Sequence, residues 1–86
     1  RYSADHIFDY IEIDDQHAIF EVEIPEEWIG KSIGELDIRR KFGINILGIK
    51  HSGKTNVSIT PDTVLSQKTT ILALGEYKAL QKCFRI

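Results

Sequence analysis

The densest chemistry in this 86-residue chain is the run Arg39-Arg40-Lys41, with Asn45 close behind it. Three cations near the end of an expected helix have an ordinary use, because positive charge complements the helix C-terminus. Asn45 opens a second use by adding an amide donor, and Ile33, Ile38, Ile44, Ile46 and Pro61 could supply an aliphatic floor. Arginine and amide beside apolar walls suit a ligand that joins a flat hydrophobic ring to a phosphate. Extended nucleic acid is not expected, because the basic residues are not interleaved with stacking aromatics.

Other reactive side chains do not assemble into a recognisable pattern. His6, His17 and His51 sit in unrelated contexts, and neither a G-x-S-x-G elbow nor an H-E-x-x-H pair is present. Cys83 falls on the apolar side of an expected helix, where cysteine behaves as a small hydrophobe. Asp14-Asp15-Gln16-His17 gathers ligand types without the spacing of a zinc or calcium site, so it reads as a solvated acidic loop. The glycines form neither a P-loop nor G-x-G-x-x-G. The expectation is a domain without enzyme activity, without a metal site and without a bound cofactor.

The net charge of −2 conceals an asymmetry. Residues 1–27 hold nine acidic side chains against Arg1, whereas residues 28–86 hold ten basic against four acidic. An acidic lead-in thus precedes a basic body, which is where an anionic ligand belongs. With 42% hydrophobic residues the chain is globular in composition. The run Ile71-Leu72-Ala73-Leu74 is far short of the roughly 20 residues that a bilayer span needs, so no membrane insertion is expected. A single cysteine fits a reducing, cytoplasmic compartment. The start at Arg1 and the lack of methionine suggest a piece of a longer protein.

The elements that must position the cations follow from periodicity. Residues 1–16 are weakly patterned, with a short strand or an entry helix around Ile7–Ile11. Ala18, Phe20, Val22 and Ile24 alternate with Ile19, Glu21 and Glu23 as a strand that Pro25 ends. Ser32-Ile33-Gly34-Glu35 matches a capping box and predicts a helix to about Phe42, stopped by Gly43. Wrapped at 100° per residue, Ile33 and Leu36 fall opposite Ile38 and Phe42. That spacing predicts a helix with two apolar faces, one for the sheet and one for a partner or ligand. The alternative is a helix that ends early and returns Ile38 to the core. Residues 44–50 read as a central strand, apolar on both faces, and residues 56–60 as its hairpin partner across the turn at Ser52-Gly53. Residues 69–75 give a further strand and residues 76–84 an amphipathic terminal helix. The fold class is α+β, a small and mainly antiparallel sheet with two helices.

The stretch Ile19-Phe20-Glu21-Val22-Glu23-Ile24-Pro25, continued by Trp28-Ile29-Gly30-Lys31-Ser32-Ile33-Gly34-Glu35-Leu36-Asp37-Ile38 and on through Ile49, resembles the C-terminal RCK (TrkA-C) domain. So does the later Pro61-Asp62-Thr63-Val64-Leu65, followed by Thr70-Ile71-Leu72-Ala73-Leu74-Gly75. The resemblance covers residues 17–86 and makes residues 1–16 a linker from a missing N-terminal RCK domain. It is strongest to KtrA-type gating subunits of potassium transport. It implies a homodimer that binds cyclic di-AMP as a regulatory ligand and lowers potassium uptake, within a larger ring beneath a membrane transporter subunit. It further implies that Arg39 and Asn45 meet the phosphates while Ile33, Ile38, Ile44, Ile46 and Pro61 pack around the adenines. A structural dimerisation module, or a sensor of another small anionic metabolite, is the alternative.

Overall fold

The computed structural model describes residues 7–86. The expectations that touch Asp5 and His6 lie outside the described residues. Strand β1 (Ile7–Glu12) settles the open reading of the N-terminal segment in favour of a strand, and it pairs antiparallel with β2 (His17–Glu23). Asp14 closes the turn between them, its Oδ1 accepting the backbone N–H groups of Gln16 (2.9 Å) and His17 (2.8 Å). In β2 the period-2 pattern is realised as read: Ala18, Phe20 and Val22 are fully buried, while Ile19 and Glu21 face the other side.

The chain then makes a short 3₁₀ turn, Glu26–Trp28, that buries Trp28 against Phe84 at a ring separation of 5.5 Å. Next come α1 (Ile33–Leu36), α2 (Ile38–Phe42), β3 (Asn45–His51), β4 (Lys54–Asn56), β5 (Thr69–Glu76) and α3 (Tyr77–Phe84). All strand pairs are antiparallel and the sheet runs β1-β2-β5-β3-β4. One face carries the core, in which Phe20, Val22, Ile71 and Ala73 from the sheet meet Leu80, Cys83 and Phe84 of α3. Burying a side chain such as Leu80 stabilises the fold by roughly 2 kcal/mol.

Two expectations require correction. The helix expected over residues 32–42 is two short helices broken at Asp37, which adopts left-handed φ 53°, ψ 42°. The break resets the helical phase, so Ile38 is buried in the same core that Ile33 and Leu36 pack against. The reading of two opposed apolar faces therefore fails, and the early-ending alternative holds. The hairpin partner of β3 is Lys54–Asn56 rather than residues 56–60. Ser52 and Gly53 both take positive φ (53° and 76°), and this two-residue turn locks His51 opposite Lys54. After Asn56 the chain leaves the sheet, with the Asn56 carboxamide accepting the Ser58 N–H, and Val57 is exposed. β3 is interior to the sheet as read, paired with β5 on one side and β4 on the other. The apolar character of β3 on both faces reflects a bulge between Ile46 and Gly48, which puts Ile46 and Ile49 on one side despite their odd spacing.

Candidate functional site

The capping box forms as the sequence predicts. Ser32 Oγ accepts the Glu35 N–H (3.2 Å) and Glu35 Oε1 accepts the Ser32 N–H (3.1 Å). The Ser32 N–H, and after it the Ser32 hydroxyl donating to Glu35 Oε1 (3.1 Å), hold the Glu35 carboxyl below its usual value of 4.5. At the far end of α2, Gly43 turns with φ 73° and donates its N–H to the Arg39 carbonyl over 2.8 Å. Ile44, immediately after, is fully buried, and this anchor fixes where Asn45 enters the sheet.

The opposite wall comes from the loop between β4 and β5, which runs antiparallel to residues 30–34. The Gly30 N–H donates to the Leu65 carbonyl (2.8 Å), the Leu65 N–H to Lys31 (2.9 Å), the Ile33 N–H to Thr63 (2.9 Å) and the Gly34 N–H to Pro61 (2.8 Å). Within the loop, the Thr63 hydroxyl accepts the Thr60 N–H and the Thr60 hydroxyl accepts the Asp62 N–H. Backbone and side-chain bonds together present Ile59, Thr60 and Pro61 to α1 and β3.

Between these walls lies an open cleft of about 320 Å³. It is lined by all seven residues selected from the sequence: Arg39, Asn45, Ile33, Ile38, Ile44, Ile46 and Pro61. Ile38 and Ile44 form its buried floor, Ile33 and Ile46 are half-buried, and Arg39, Asn45 and Pro61 stand exposed at the mouth. Sequence reasoning missed Gly34, Asp37, Ile59 and Thr60, which also line it. Only Ile59 carried a signal, as an apolar residue two after Val57 in a patterned segment.

The three consecutive cations do different things. Arg40 Nε donates to Asp37 Oδ2 at 2.5 Å, so its charge is matched on the helix surface and Asp37 is partly neutralised. Among the described residues no carboxylate pairs with Arg39, whereas Lys50 and Arg85 each have one, Glu21 and Glu27. Arg39 is thus the cation at the cleft available to a bound anion.

Elsewhere the chemistry is occupied or dormant. A larger groove of about 560 Å³ is lined by Glu23, Glu26 and Glu27 together with Lys68 and with Arg85, which pairs with Glu27, so its charge is mixed. Asp14 is held below the usual carboxylate range, first by the Gln16 N–H and then by the His17 imidazole, whose Nδ1 lies 2.9 Å away. Among the described residues no three metal-ligating side chains stand close enough to hold an ion. Burial pushes the Cys83 thiol up to about 12, leaving it protonated and unreactive at neutral pH. No helix among the described residues is long and apolar enough to cross a membrane.

A five-stranded antiparallel sheet with its helices on one face, and an open cleft with one unpaired arginine at its margin, defines an α+β domain of the RCK C-terminal class. The family described as the TrkA-C domain matches residues 18–86, and the chain belongs to it. It is similar to Ktr system potassium uptake protein A of Bacillus subtilis (strain 168), 29% identical over 80 residues, which is 93% of this chain and 36% of that protein. The chain spans about a third of the length of the curated relatives it matches.

Among solved structures it is similar to the RCK C domain of the potassium transport protein KtrA in complex with cyclic di-AMP. The two are 33% identical with a TM-score of 0.74, over 84% of this chain and 86% of that one. It is also similar to the RCK_C domain dimer of S. agalactiae BusR in complex with cyclic di-AMP, at 32% identity and a TM-score of 0.65, over 78% of this chain and 95% of that one. BusR is also known bound to its busAB promoter DNA, in a chain of which this one covers 36%. The expectation of no nucleic-acid partner therefore finds no support among the relatives.

Proposed function

We propose that this domain is a non-catalytic sensor that binds cyclic di-AMP across a homodimer interface and lowers potassium transport through a membrane transporter subunit. The observation that carries the reading is Arg39, unpaired at the mouth of a cleft that also presents Asn45 and an isoleucine floor. A guanidinium and an amide recognise phosphate oxygens, and the aliphatic walls take the flat face of a purine. The complexes of the KtrA and BusR domains with the same ligand support the choice of cyclic di-AMP over other anions. A two-fold symmetric ligand fits a pair of identical half-sites, one from each protomer. Binding then favours one dimer arrangement over others, which is how differential affinity becomes a switch.

In this reading the domain works in the cytoplasm, peripheral to the membrane, as part of a ring of longer subunits. Its small-ligand cleft is the regulatory site. DNA binding, where a relative has it, belongs to a chain more than twice as long and is not assigned to this domain.

Calorimetry with cyclic di-AMP, cyclic di-GMP and ATP on one preparation tests the assignment. Cyclic di-AMP is expected to bind, and Arg39→Ala to weaken it by about 2 kcal/mol, or roughly thirtyfold, with little change in melting temperature. Equal binding by the wild type and Arg39→Ala removes the arginine from the site. Tighter binding of another nucleotide makes the domain a sensor of that metabolite. No response to any of them leaves a dimerisation module.

A further inference from the structure

The helices pack on the face of the sheet that bears Phe20, and the opposite face carries a pattern of its own. Cross-strand register sets Ile11, Ile19 and Leu74 in one row over β1, β2 and β5, with Leu72 in the next row. None of the four packs against the core, and Ile11 is 61% exposed. Beside Leu72 the register reaches Gly48, where an added Cβ would stand 3.3 Å from Val57 Cγ1. Val57, itself 69% exposed, thus carries the apolar strip on to the margin of β3. Carboxylates flank the strip on both sides. Glu76, opposite His17 in the register, lies on one side; Asp9 and Glu21, in the row of Leu72, and Glu23 beyond them lie on the other. The cations of this face are fewer and already engaged, Lys50 with Glu21 at 3.8 Å and the His17 ring with Asp14 at 2.9 Å.

We infer that this face docks a basic amphipathic helix of a partner protein. Its apolar stripe lies on the strip, and its lysines or arginines meet the carboxylates on either side. Three features select that occupant. The strip runs from β1 across β2 and β5 to β3, about 14 Å at the usual strand spacing, which roughly ten residues of helix would span. Strands β2 and β5 have both backbone edges paired within the sheet. A partner lying over them must therefore satisfy its own backbone, as a helix does and an extended peptide does not. Cations bordering an apolar stripe complement the flanking carboxylates and lay their own methylene stems along the isoleucines and leucines. A second copy of this chain would instead set the same excess of carboxylates against itself. The inference stands on this face alone and does not depend on the nucleotide.

Fluorescence anisotropy of the full chain with a labelled synthetic peptide tests it. The peptide has about four helical turns, with leucines on one stripe and lysines along both borders. A matched peptide with glutamates in place of the lysines is the control. The lysine peptide is expected to bind, more weakly as salt is added, and the glutamate peptide to bind at least about tenfold more weakly. Asp9→Lys combined with Glu76→Lys should weaken the lysine peptide roughly tenfold, and Ile11→Ser several-fold, with unchanged circular dichroism. All three positions are exposed, so the fold is retained. Glu26→Lys, in the groove beside Phe84, should bind the peptide like wild type. No binding of the lysine peptide overturns the inference, as does equal binding of the two peptides. So does a loss in Glu26→Lys as large as in the Asp9 and Glu76 variant. If Ile11→Ser turns a dimer into a monomer in sedimentation velocity, the face belongs to a second copy and the inference also fails. Arg39→Ala separates this reading from the proposed function, since it should lose cyclic di-AMP and keep the peptide.

Discussion

The Gly34 N–H donates to the Pro61 carbonyl over 2.8 Å. The two residues approach so closely that a side chain on Gly34 would require Pro61 to give way by a few tenths of an ångström. A Cβ on Gly34 would stand 3.0 Å from both Pro61 Cβ and Pro61 O. This contact sets the width of the cleft, because it ties α1 to the loop that forms the opposite wall.

Gly34→Ala should therefore act on the site more than on the fold. Alanine is favoured over glycine within a helix by up to about 1 kcal/mol, which offsets part of the crowding. The expected result is a melting temperature within a few degrees of wild type and cyclic di-AMP affinity reduced about tenfold, as the Pro61 wall is pushed outward. Wild-type affinity by calorimetry would mean that the loop yields without altering the cleft.

Asn45→Asp tests the electrostatics of the cleft with almost no change in shape. Asn45 is exposed at the first position of β3, so a carboxylate there is solvated and the fold tolerates it. Facing phosphate it exchanges a donor for an acceptor and adds a repulsive charge beside Arg39. Affinity should fall by at least as much as in Arg39→Ala, and added salt should narrow the gap from wild type by screening the repulsion. Affinity equal to wild type would place the phosphates away from Asn45.

Much of this architecture was legible in the chain. Ala18, Phe20 and Val22 alternate without ambiguity, the Ser32–Glu35 box announces a helix start, and Gly43 announces its end. Residue type alone brought Arg39, Asn45 and the isoleucines into one proposal, and the fold does gather them. What escaped reading depends on contacts between distant segments or on backbone states that composition does not signal. Nothing local shows that residues 60–65 will pair with residues 30–34, so Thr60 was passed over. The bulge at Leu47 exists to keep Ile46 and Ile49 on the core side, which only the partner strand β5 can enforce. The missed break at Asp37 is a backbone matter, since neither glycine nor proline marks it.

That break yields a sharp test. Aspartate tolerates φ 53° better than most side chains, and it also engages Arg40. Asp37→Gly keeps the conformation and loses only an exposed ion pair, so its cost in urea denaturation should stay below about 1 kcal/mol. Asp37→Val forces a β-branched residue into the left-handed region and should cost about 2 kcal/mol. It should also weaken ligand binding, because Ile38 and Arg39 depend on the reset of helical phase. Equal stability of the two variants would show that the junction can relax to an ordinary helix.

Acid should loosen the capping box, and the sign follows from the lowered Glu35 carboxyl. Its value in the folded chain lies below 4.5, with the Ser32 N–H as the largest cause and the Ser32 hydroxyl next. Between those limits the unfolded chain binds more protons than the folded one, so stability is full above pH 4.5 and declines as pH falls below it. Asp14 and Glu27 are lowered as well, by the Gln16 N–H and by Glu27's own backbone N–H respectively, and they add to the same acid limb. Glu35→Gln isolates one contribution, since glutamine also serves at this position of a capping box but does not titrate. Urea unfolding near pH 7 should find this variant close to wild type. Near pH 3.5 the wild type should have lost more stability than the variant, and parallel decline of the two would show that Glu35 does not contribute to the acid limb.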